Sequence, residues 1–267
     1  MKNSEQKKGF GTWFTVIVIP VLLVIAIILY KFVFGDPSHF QGGNPENQPV
    51  PGDFFGIIYK GGFIVPILMT LLMMVLTFSL ERFYTISRAK GKGAAVNFLR
   101  SLKKNLAAGN IDAAQAECEK QRGALGNVCY SVLNTYRLVE KDTVMTKEQK
   151  MVSIQKDIEE ATSLELPTLE QNLVILATIS SIATLMGLLG TVLGMIRAFA
   201  ALANAGAPDS VALSAGISEA LINTAFGIGT AAIAIITYNF FTTQIDKITY
   251  NIDEAGYSIV QTYAEKH

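Results

Sequence analysis

Glu219 stands alone in a long apolar stretch, and no further Asp, Glu, Lys or Arg occurs until Asp246. A carboxylate inside a membrane span costs roughly 2.5–3.5 kcal/mol on insertion scales, so its default reading is an ion or proton site. On an ideal helix, Glu219, Asn223, Thr230 and Thr237 fall within about 40° of one another and form a polar stripe. The preceding apolar stretch carries a second stripe, in which Ser180, Thr184, Gly187, Thr191 and Gly194 share a face to within about 60°. Hydroxyls at Thr191, Thr224 and Thr230 can hold waters in a hydrogen-bonded chain but do not titrate, which leaves Glu219 as the titrating member. Two such faces on adjacent antiparallel helices would line one wet path for protons. Sodium would instead need several oxygens converging on one point, for which Glu219, Asn223 and Thr191 are the available donors. Thr224 lies about 140° from Glu219 around the helix, so the two face different neighbours.

Plainer roles compete with this one. Small residues let membrane helices approach closely, and Gly190 and Gly194 have the spacing of such a contact, so Gly187, Gly190, Gly194 and Gly227 read as packing positions. Packing gives no reason for Glu219. A static ion pair with Arg197 would give one, and it belongs to a scaffold that assembles partners without conducting.

These residues need spanning helices to position them. Half of the 267 residues are hydrophobic, 16% are charged and the net charge is zero, with a mean hydropathy of +0.36. That fits an all-α polytopic membrane protein and gives no electrostatic reason for a nucleic-acid partner. Residues 9–30, 61–80 and 171–196 contain no Asp, Glu, Lys or Arg, residues 213–241 contain only Glu219, and each stretch is long enough to cross a bilayer. Lys and Arg collect before the first stretch and after the second, whereas residues 35–59 and 198–211 have none, so both termini are expected in the cytoplasm. Lys31, Lys60 and Arg197 sit at span edges, where they can snorkel.

The expected organisation follows from this topology. Residues 1–34 form the N-terminus and first span, 35–60 an outer loop, 61–81 a span and 82–168 a cytoplasmic helical domain. Residues 169–197 form a span, 198–212 an outer turn, 213–241 the last span and 242–267 a cytoplasmic C-terminal helix. The Gly- and Pro-rich outer loop reads as a poorly ordered linker. The first span reads as retained rather than cleaved as a signal, since no small-x-small site follows closely. Helices are expected near residues 94–107, 111–120, 125–139 and 146–165, separated by Gly- and Asn-containing stops. Cys118 and Cys129 read as reduced core thiols, and His39 and His267 carry no signal. No phosphate loop, dinucleotide fingerprint, nucleophile elbow or zinc spacing occurs, so the chain reads as no enzyme, with protons as the coupling ion and no cofactor. A solute transporter would call for an inverted repeat or broken helices, and neither is seen.

The segments GLLGTVLGM at 187–195 and GISEALINTAFG at 216–227 together closely resemble the ExbB/TolQ proton-channel family, relatives of the flagellar stator protein MotA. The likeness covers residues 61–263 and is strongest over 166–244. The resemblance implies a homopentameric ring in the bacterial inner membrane around a central pore, with long spanning helices extending into the cytoplasmic domain. It implies an ExbD-like or TolR-like partner, a dimer with one span per chain, in that pore. Proton flow would then drive a TonB-like protein, with ExbB preferred over TolQ, or a rotary or gliding stator. Thr191, Glu219 and Thr224 fall on the family's polar pore positions, where the threonines would organise water around an Asp of the partner. The first span is additional to the three-span plan of well-known members.

Overall fold

The computed structural model describes residues 16–203 and 209–266. Nine helices carry these residues: α1 (Val16–Phe34), α2 (Phe54–Tyr59), α3 (Ile64–Ala89), α4 (Ala95–Ala107), α5 (Ile111–Gln121), α6 (Gly123–Lys141), α7 (Lys147–Glu170), α8 (Leu173–Ala203) and α9 (Ser210–Lys266). No strand occurs among them beyond one isolated bridge, Phe40 with Pro49. Four helical segments are long and apolar enough to cross a membrane, so the chain is a multi-pass membrane protein. The residues form two compact units, Met1–Ser79 with Val174–Tyr238 and Leu80–Leu173 with Asn239–His267.

In the first unit, α1 packs against the start of α3. Ala26, Val65 and Met69 are buried together under Leu29, Tyr30, Ile58 and Phe226. Pro66 lies in the first turn of α3, where its missing N–H costs no helical hydrogen bond.

Residues 35–60 depart from the loose linker expected of their composition. Two 3-10 turns, Pro37–His39 and Gln41–Gly43, precede α2. The Asp53 side chain caps α2 by accepting from Gly56 N and meets His39 Nδ1 at 2.7 Å. The Gly56 N–H and His39 together hold the Asp53 carboxyl below the usual carboxylate range. Lys60 Nζ donates to the carbonyls of Pro45 and Glu46, both at 2.9 Å. Tyr30 stacks on Tyr59 at 4.7 Å, Phe34 on Phe55 at 5.3 Å, and Phe40 meets Tyr59 edge-on at 5.4 Å. Aromatic side chains spaced between the glycines and prolines thus give this segment a core of its own.

The second unit is a helical bundle in which α4, α5, α6 and α7 pack successively and residues of α9 from Asn239 onward take part. Its helices run close to the expected ranges, with α7 continuing through Pro167 to Glu170. A capping box of Thr146 and Gln149 starts α7, and Asn110 caps α5 by accepting from Ala113 N. Tyr136 meets Tyr263 edge-on at 4.9 Å, and Lys266 Nζ donates to Leu106 O at 2.6 Å. Cys118 and Cys129 are both buried, and the contact with Cys118 together with burial pushes the Cys129 thiol well up.

Arg82 carries a role the composition did not reveal. It is 1% exposed, its Nη1 donates to the carbonyls of Thr168 and Leu169 at 3.3 and 3.2 Å, and its Nε donates to Glu81 at 2.6 Å. These carbonyls belong to the last turn of α7, where no intrahelical donor remains. Asn172 then breaks the chain direction at φ 65°, and its amide donates to the same Glu81 carboxylate. Removing one partner of a buried pair leaves the other uncompensated, so Arg82→Ala is expected to destabilise the protein by roughly 3 kcal/mol, read as a lower denaturation midpoint in detergent.

Candidate functional site

The seam between α8 and α9 is built by glycine. A methyl group on Gly194 would fall 2.7 Å from both Ala220 N and Gly216 O, and one on Gly227 would fall 2.6 Å from Ala183 O. On Gly187 it would meet Asn223 O at 2.9 Å, and on Gly190 it would meet Asn223 Cγ at 2.6 Å. The two backbones therefore touch along three turns, which only glycine permits. Gly216 belongs to the same seam, since its Cβ would fall 2.7 Å from Ala198 N.

This contact joins the two threonines. Thr191 Oγ1 and Thr224 Oγ1 hydrogen-bond across the seam, and Thr191 Oγ1 also donates toward Gly187 O at 3.2 Å and Ala220 O at 3.4 Å. Both side chains are half-buried, so one edge of the pair stays open.

One turn along α9, Glu219 is 6% exposed and takes Arg197 Nη1 at 2.6 Å to Oε1 and 2.7 Å to Oε2. The Arg197 side chain is 52% exposed, so the pair is dry at the carboxylate and open at the guanidinium. The Phe63 ring lies 6.0 Å from that guanidinium. Gly62, at φ 75°, presses on the carboxylate so closely that a Cβ there would sit 3.1 Å from Glu219 Cδ. A left-handed φ and the lack of space both require glycine at this position. Asn223 is wholly buried on the same face, and its Nδ2 donates to Gly61 O at 2.8 Å.

The polar stripe of α9 is thus brought together at Glu219 and Asn223, with Thr230 buried further along and Thr237 bonded back to Ile233 O. The stripe of α8 is split: Thr191 meets α9, whereas Thr184 is exposed and bonds back to Ser180 O at 3.3 Å. Glu219 and Thr224 face different neighbours, Arg197 and Thr191. Gly61, Gly62 and Phe63 are not among the residues the sequence singles out for the site, although a Gly-Gly pair at the head of an apolar stretch is a turn signal. Among the described residues no cluster of His, Cys, Asp and Glu has a metal-holding arrangement.

Residues 122–254 match the model of the MotA/TolQ/ExbB proton channel family. The chain belongs to that family. It is accordingly a subunit of a proton-channel type and no enzyme. It is 37% identical over 86 residues to the biopolymer transport protein ExbB-like 3 of Synechocystis sp., covering 32% of this chain and 41% of the relative. It is 38% identical over 88 residues to the Tol-Pal system protein TolQ of Haemophilus influenzae, covering 33% and 39%. With the biopolymer transport protein ExbB of Xanthomonas campestris it shares 26% identity over 156 residues, covering 58% and 55%. The chain therefore spans well under two thirds of each of these relatives.

The seam has an internal control in Gly229, against which an added Cβ would meet nothing within 4 Å. Gly194→Ala is expected to cost about 1–3 kcal/mol through overpacking, whereas Gly229→Ala should stabilise by roughly 0.5–1 kcal/mol through helix propensity. Thermal denaturation of the two variants in detergent should move the midpoint in opposite directions.

Proposed function

We propose that this chain is a proton-conducting motor subunit of the bacterial inner membrane. With an ExbD-like single-span partner it uses the proton motive force to energise TonB-dependent transport across the outer membrane. The observation that carries this reading is a carboxylate, Glu219, buried on the polar face of α9 beside the Thr191–Thr224 pair in a member of a proton channel family. Arg197 offsets the cost of keeping Glu219 charged in a span and leaves it able to exchange a proton when the pair separates.

The remaining residues take roles around it. Thr191 and Thr224 organise water around an Asp of the partner's helix, and Asn223 and Thr230 extend the polar path along α9. Thr184, on the exposed side of α8, meets this path only if a neighbouring copy or the partner covers it. The apolar surfaces of α8 and α9, with Leu185, Leu188, Leu221 and Ile236 more than half exposed, supply faces for a ring of identical subunits, for the partner and for lipid. Five copies enclosing a partner dimer is the arrangement this reading adopts, with both termini in the cytoplasm. Protonation of the partner's Asp from outside, its release from the polar ring, a step of the partner and inward release of the proton complete the cycle.

Two other readings have observations in their favour. A TolQ-like role in the Tol system is supported by relatives of both names at similar identity. A non-conducting scaffold is supported by the two short contacts between Arg197 and Glu219. Uptake of an iron-siderophore driven by the proton motive force, in cells carrying wild type or Glu219→Gln, separates them. The motor reading expects Glu219→Gln to lose at least roughly tenfold in uptake rate, about 1.4 kcal/mol in the rate-limiting barrier, with membrane level and partner association unchanged. Normal uptake in Glu219→Gln favours the scaffold. Normal uptake in a strain lacking the whole chain, together with a division or envelope defect, favours the Tol-like role.

A further inference from the structure

Asn223 makes little sense as a stability element. Its Nδ2 is satisfied by Gly61 O at 2.8 Å, yet its Oδ1 is buried with no partner. A buried acceptor left unmade is a net cost, which an alanine at this position would avoid. The opposite helix also concedes space to the amide, because any side chain on Gly190 would run into Asn223 Cγ and Nδ2 at 2.6 and 2.7 Å. Both concessions serve a single hydrogen bond from α9 to the turn before α3.

That turn covers Glu219. Gly61 and Gly62 link α2 to α3, Gly62 lies against the Glu219 carboxylate, and Asn223 holds the turn from one helical turn further along α9. From the other side the turn hangs on Tyr59, whose carbonyl accepts both Gly62 N at 3.2 Å and the Tyr30 hydroxyl of α1 at 2.9 Å. Arg197 from α8 bonds the carboxylate, Tyr30 from α1 lies within electrostatic reach of it, and Tyr59 and Lys60 adjoin the turn that covers it.

We propose that Asn223 is a positioning residue that clasps the Gly61–Gly62 turn over Glu219 and so limits access to the carboxylate from the side on which residues 35–60 lie. The first span, α1, braces the same clasp through Tyr30. When the clasp releases, the Asn223 amide has a free donor pair and a free acceptor beside Glu219 and holds water there, so opening and hydration occur together. This inference rests on Glu219 being the proton-handling group, and it gives the additional span and its folded outer segment a task at that group.

The test reads access rather than conduction. Membrane vesicles containing the full chain assembled with its partner are treated with a water-soluble carbodiimide, which reacts with protonated carboxyls. The initial rate of modification at Glu219 is followed by mass spectrometry as external pH is lowered. Asn223→Ala is expected to raise the rate several-fold across the pH profile. Asn223→Ser, which keeps a shorter donor, should fall between it and wild type, and Tyr30→Phe should raise the rate by a smaller factor. Wild-type rates in Asn223→Ala and Tyr30→Phe overturn the clasp. Should Asn223→Ala fail to assemble, Tyr30→Phe decides alone, since it alters nothing in α8 or α9. Unchanged labelling together with uptake lost in Glu219→Gln removes the clasp and leaves the site. Uptake retained in Glu219→Gln removes the site, and the clasp with it, whatever the labelling.

Discussion

A carboxylate in an apolar helix needs a local counterpart, and the arrangement around Glu219 follows from that need. Arg197 supplies the opposite charge from α8, with its side chain half-exposed and the Phe63 ring 6.0 Å from the guanidinium. The pair is asymmetric, with a dry carboxylate and a wetter cation. Such a pair offsets part of the cost of keeping a carboxylate in an apolar span.

Placing Arg197 and Glu219 within reach depends in turn on how closely α8 and α9 run. Side chains at Gly187, Gly190, Gly194, Gly216 or Gly227 would hold the backbones apart. With them absent, Thr191 reaches Thr224 and the carbonyl of Ala220, next to Glu219. The glycine seam and the Thr191–Thr224 pair are thus one device rather than two. Packing brings the hydroxyls together, and the hydroxyls satisfy one another inside an apolar surrounding. The remaining faces of both helices are largely apolar and exposed, as helices that border lipid require.

Much of this was legible in the sequence because each piece lies within one helix. The isolation of Glu219, the four apolar stretches and the glycine spacing are periodic, local signals. Thr184 joins its stripe only within a tolerance of about 60° on a helical wheel, and its side chain lies on an exposed face of α8. The Asn223–Gly61 bond was illegible for a different reason, since it joins residues 162 positions apart and no periodicity reports a contact of that kind. In residues 35–60 glycine and proline content points to a loose linker, whereas the aromatic residues that interleave them give the segment its core. In the sequence Arg82 is one of the Lys and Arg residues that follow the second apolar stretch, whereas its carbonyl partners at the end of α7 decide its role.

The most direct test of Glu219 as the proton-handling group is proton flux in liposomes holding the chain assembled with its partner. A potassium diffusion potential supplies the drive, and an internal pH dye reports entry. Wild type should acidify the lumen faster than empty liposomes, and Glu219→Gln should fall to the empty-liposome rate while assembling normally. Equal rates in wild type and Glu219→Gln, both above the empty-liposome rate, would contradict the account and assign proton transfer to groups outside this site.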